Sequence, residues 1–223
     1  MRGLGDGAAA AGHNVNALDV PTAALARVAL EIPDGPEAAL AAALRAARAA
    51  GVSGAWLDEL ILAAVLFAGF PRALVVAGLL RRVYPEPTPG QQDAGDYAQW
   101  KEWLARGEAT CRIIYGANYD QLRRNVAALH PALDRWILVD GYGRTLSRPA
   151  LDPVRRELCA IAMLVEQDVP RQLHSHYRGA LNVGALRAQV EDVLELAARC
   201  PSVRADRLAV ARSLWADLAA EEH

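Results

Sequence analysis

The chain has 223 residues, enough for one large domain or two small ones with a real core. Hydrophobic residues make up 53%, about a fifth of the chain being alanine, and aromatics only 6%, which favours close-packed helices over a β-sandwich. With 24 basic against 26 acidic residues, the balance argues against a protein whose main work is gripping nucleic acid through its phosphates, and against wholesale disorder.

Residues 1–18 are rich in Gly, Ala and Asn, lack periodicity, and are expected to form a disordered leader without the basic-then-apolar order of a signal peptide. Helical patterns follow at 21–31, 36–50, 54–68 and 71–84. The most apolar stretch, Ile61 to Leu80, is interrupted by Gly69, Pro71 and Arg72. It reads as two buried helices rather than a membrane span, so a cytoplasmic protein without a membrane partner is expected. Residues 85–96, rich in Pro and Gly, read as a linker between a block at 19–84 and a second at 97–223. Helices resume at 96–107, 108–114, 118–129 and 132–139, and GYGRTLSRP (141–149) reads as a turn-rich loop. Further helices are expected at 153–166, 170–183, 186–199 and 203–220. Asp152 caps the first of these with Pro153 at its first position, Pro170 opens the next, and Gly184 ends it. No run reads as a strand, and the class is all-α. A displacement of 133 residues superposes Leu25 on Leu158, Arg45 on Arg178 and Gly51 on Gly184, a weak internal repeat.

On the helix from Pro153, Val154, Leu158, Ile161 and Val165 form one apolar stripe, with Glu157 at its edge and Cys159 turned away. On the next helix His176 lies at the edge of the stripe, with Gln172 one turn before it. A short turn joins the two, so they pack antiparallel and Glu157 meets His176 across the seam. A carboxylate and an imidazole in such a seam make a proton relay, or else a polar pair at a packing contact without chemistry. His174 is about 200° around the helix from His176, which disfavours an H-x-H metal site. Three scattered cysteines, Cys111, Cys159 and Cys200, support neither a disulfide framework nor structural zinc. Arg178 is either a clamp for a substrate carboxylate or a salt-bridging residue. His130, before a proline, reads as structural.

QLHSHYRGALNVG (172–184) resembles the signature of the carboxymuconolactone decarboxylase family. RREL (155–158), GYGRTLSRPALD (141–152), IIYG (113–116) and the Gly-Phe-Pro at 69–71 resemble other segments of that family and its AhpD-like relatives. The resemblance implies an AhpD-like all-α bundle of two related blocks that assembles as a trimer, hexamer or dimer. In the AhpD-like branch a Glu and a His nineteen positions apart relay protons to a C-x-x-C pair. Glu157 and His176 have that separation, but the cysteine positions hold Val169 and Gln172, so thiol peroxidase chemistry by that motif is not expected, and a residual thiol enzyme using Cys159 or Cys111 is the third and least favoured reading. The first block has Ala24 and Ala43 where the second has Glu157 and His176. What the resemblance implies is decarboxylation or isomerisation of a small lactone or acid without cofactor or metal. His176 would be the proton donor, Glu157 its partner, and Gln172, Arg178 and Arg148 the substrate-binding groups. The alternative is a non-catalytic oligomeric scaffold that keeps the fold.

Overall fold

The structure, a computed structural model, describes residues 17–86 and 95–221. Its elements are α1 (Val20–Glu31), α2 (Glu37–Ala49), α3 (Gly54–Val83), α4 (Trp100–Tyr115), α5 (Tyr119–Leu129) and α6 (Pro131–Trp136). A π-helical segment (Ile137–Leu146) leads to α7 (Pro153–Val165), α8 (Pro170–Asn182), α9 (Arg187–Ala198) and α10 (Ala205–Glu221). The fold is all-α, an AhpD-like helical bundle, with no strand among the described residues. Local chemistry sets the boundaries. Asp19 and Asp152 cap α1 and α7, each accepting the N–H of the third residue onward, Thr22 at 2.7 Å and Arg155 at 3.0 Å. Gly51 and Gly184 end α2 and α8 with φ of 79° and 97°, a region that other residues enter only with strain.

The main core is built from α1–α3 and α7–α10, so both halves of the sequence share it. α7 is its central rod: Arg156 to Val165 are all buried. The apolar stripe therefore understates this helix, and Cys159, expected to face away, is packed inside. A smaller cluster of Cys111, Ile114, Tyr119, Leu138 and Tyr142 joins α4 to the π-helical segment. Two glycines allow that approach. A Cβ at Gly107 would lie 2.0 Å from the Leu138 carbonyl oxygen, and one at Gly143 2.0 Å from that of Trp103. The backbones touch directly, which a side chain would forbid.

Three expectations change. The segment from residue 141, expected to be a loop, continues as π-helix through Leu146, held by Thr145 Oγ1 to the Asp140 carbonyl and Ser147 Oγ to the Gly143 carbonyl. Leu18, assigned to the leader, is buried in the core and its N–H donates to Asp192; residues 1–16 and 87–94 lie outside the described residues. α3 turns at Gly69 (φ 78°), before Pro71, as the sequence anticipates. Its outer face is not buried, however: Leu62, Leu66, Phe70 and Leu74 are exposed, the last at 68%. This helix is long and apolar enough to cross a membrane, with 28% of its most apolar window buried. Polar ties fasten it into the bundle. Buried Glu59 pairs with Arg148 and Arg156, and Arg72 donates to the carbonyls of Glu31, Ile32 and Gly35.

Candidate functional site

Glu157 lies on the central rod and His176 on the helix packed antiparallel to it. Their side chains meet: His176 Nδ1 and Glu157 Oε2 are 2.7 Å apart, and both residues are buried, at 8% and 2% exposure. The carboxylate fits because residue 179 is glycine. A Cβ there would come within 2.8 Å of Glu157 Oε2 and of Ile114 Cγ2. Phe67, from α3, packs against the imidazole in a T-shaped contact with centroids 5.3 Å apart. With Nδ1–H given to the carboxylate, Nε2 is the ring nitrogen available to a ligand.

His176 opens onto a cavity of about 420 Å³. Its walls are largely apolar and aromatic: Leu66 and Phe67 from α3, Trp136 and Tyr142 from the segment after α5, and Tyr115 at the end of α4. Gln172 reaches the same cavity one helical turn before His176, as the spacing implies. Asp140 is also in the lining and pairs with Arg144 at 3.4 Å.

The two arginines assigned to substrate lie elsewhere. Arg148 is not in the lining; its Nε holds Glu59 at 2.9 Å, beside Arg156 at 2.7 Å, because a buried carboxylate demands counter-charge. Arg178 lines a separate, more polar cavity of about 360 Å³ with His174, Ser175, Asn118 and Asn182. His174 and His176 thus face different hollows, as their separation on the helix requires. His130 accepts the Ala132 N–H at 3.0 Å and caps α6.

Burial pushes the Cys111 and Cys159 thiols up to about 12 and that of Cys200 up to about 11, so none is a reactive thiolate near neutrality. Among the described residues, no group of three His, Cys, Asp or Glu side chains is arranged to hold a metal ion. Tyr115, Tyr142, Phe67 and Trp136 line the site but were not read from sequence as site residues. The segments of Tyr115, Tyr142 and Phe67, namely IIYG, GYGRT and the region before Gly-Phe-Pro, carry the family resemblance and are the available signal, whereas Trp136 lies in none of them.

A helical bundle with a buried acid–imidazole pair in the wall of an aromatic cavity is the class of protein these features define. Residues 131–215 match the carboxymuconolactone decarboxylase family, in accord with the resemblance carried by 172–184. It is also 30% identical over 142 residues to Peroxisomal protein 2 of Schizosaccharomyces pombe, an alignment covering 63% of this chain and 66% of that protein. The chain therefore spans just under two thirds of that relative's length.

Proposed function

We propose that this chain catalyses proton transfer on a small lactone or oxo-acid, by decarboxylation or isomerisation, with His176 as the acid–base group. The observation that carries this reading is the 2.7 Å contact between Glu157 and His176 in the wall of a ligand-sized cavity. In decarboxylation the carbon–carboxylate bond breaks and its electron pair enters the substrate's conjugated carbonyl. Carbon dioxide leaves, and the imidazolium returns one proton to carbon. Glu157 fixes the ring and stabilises its charged form; Gln172 orients the substrate through its amide. The unsaturated carbonyl is itself the electron sink, so this scheme needs no cofactor. His176→Ala is expected to lower turnover of a singly charged unsaturated lactone carboxylate, followed by the change in its ultraviolet absorbance, by about 10²- to 10⁴-fold. Unchanged turnover overturns the reading.

The scaffold reading has one observation in its favour: neither Arg148 nor Arg178 reaches the His176 cavity. An enzyme site for a dianionic acid would want such a cation, so we favour a neutral or singly charged substrate. We also propose a homo-oligomer in which a second copy covers Leu62, Leu66, Phe70 and Leu74, because four exposed large apolar side chains lie along one helix. The shared helix bounds support a tandem repeat: a 133-residue displacement carries Glu37–Ala49 onto Pro170–Asn182. A cytoplasmic or, following the relative's name, a peroxisomal setting suits this reading, and cell fractionation decides between them.

A further inference from the structure

Tyr115 faces both cavities, and its hydroxyl is half used. Tyr142 Oη donates to Tyr115 Oη at 3.1 Å, and the rings meet edge to face with centroids 6.0 Å apart. The direction of this bond follows from burial. Tyr142 is 3% exposed whereas Tyr115 is only partly buried, and the more deeply buried hydroxyl takes the donor role toward its neighbour. Tyr142 therefore donates, and the proton of Tyr115 points elsewhere. No group among the described residues accepts it, while Tyr115 lines both the His176 cavity and the polar one beside it.

The hydroxyl is also kept protonated. Burial pushes the Tyr115 phenol up to about 12; the hydrogen bond from Tyr142 pulls the other way, and the Glu157 charge adds to the rise. Near neutrality it is a donor. Its position is fixed by backbone: Gly143, next to Tyr142, rests on the Trp103 carbonyl of α4, the helix that ends at Tyr115.

We propose that Tyr115, backed by Tyr142, is an oxyanion-binding donor that takes the carbonyl or enolate oxygen of a small planar ligand lying against His176. This rests on the proton-transfer reading, since negative charge gathers on that oxygen when the electron pair enters the conjugated system. A hydroxyl already accepting one hydrogen bond donates the next more strongly, so the pair acts as a short relay of polarisation toward the ligand.

The test uses the full chain and 4-nitrophenolate, a planar oxyanion that fits a cavity of this size, at mildly alkaline pH where the probe is ionised. Nitrobenzene, which lacks the oxyanion, reports whether the cavity is intact. Tyr115→Phe is expected to weaken 4-nitrophenolate binding about tenfold or more. It should leave nitrobenzene binding unchanged and abolish the blue shift of the bound phenolate band. Tyr142→Phe should weaken phenolate binding by a smaller factor. Equal phenolate binding by the wild type and Tyr115→Phe, or no binding to the wild type, overturns the proposal. These are binding readouts, so they stand or fall apart from the turnover of His176→Ala, which tests the proton-transfer reading itself.

Discussion

Glu157 depends on a missing side chain. Its carboxylate rests on the backbone of α8 at Gly179, where a methyl group would contact both Glu157 Oε2 and Ile114 Cγ2 at 2.8 Å. Gly179→Ala should therefore displace the carboxylate from His176. Turnover should fall toward that of Glu157→Gln, with a stability change of about 1–3 kcal/mol from overpacking. A Gly179→Ala enzyme with wild-type kinetics and melting temperature would show that the contact is slack. Glu59 presents the opposite case, one buried carboxylate serving the buried Arg156 and the partly buried Arg148. Glu59→Gln leaves the buried Arg156 guanidinium short of counter-charge and should cost about 3–5 kcal/mol in urea unfolding. Spacing alone brought Glu157, His176 and Gln172 to one place, because nineteen positions across a tight turn are a local geometric fact. The arginines were not legible in the same way. The partner of Arg148, Glu59, is 89 residues distant, and nothing in the local pattern announces it.

At the scale of the element, caps were readable and chain continuations less so. Asp152, Pro153, Pro170 and Gly184 are local signals that need no tertiary context, and the helix ends fall where they point. GYGRT looks like a turn because of its glycines, yet Gly143 serves close packing against α4 and the chain stays helical. Likewise, periodicity assigned α7 one buried face, whereas a rod surrounded by neighbours is buried on all of them. The α7 cap also carries a pH dependence. Burial pushes the Asp152 carboxyl up, but hydrogen bonds from the Arg155 side chain and backbone, together with its charge, outweigh that and hold it below the usual aspartate value. A carboxylate depressed in the folded state contributes stability above its unfolded pKa of about 3.9 and loses it as pH falls through the folded value. The difference in urea midpoint between wild type and Asp152→Asn should then be full at neutral pH, equivalent to about 0.5–1 kcal/mol, and vanish in strong acid. A difference that persists unchanged into acid would assign the effect to something other than this ionisation.

Across the whole molecule, the proposed duplication relates two of the cavities to each other. The 133-residue displacement carries Gln172 and His176 back to Ala39 and Ala43, and carries Leu66 and Phe67 forward to Arg199 and Cys200. All four destinations line a hollow of about 340 Å³, the counterpart of the His176 cavity. Each hollow is thus walled by the second helix of one block and the third of the other, which explains why the core of the two halves is common. On this reading the two hollows differ in their polar groups: Ala24 and Ala43 stand at the positions that correspond to the acid and the imidazole. Filling the silent hollow with Ala43→Leu should leave turnover within about twofold of wild type, as expected of a substitution distant from the reacting groups. His176→Ala should remove turnover. Comparable losses from both would mean that the two hollows work together, and that the first block contributes more than a wall.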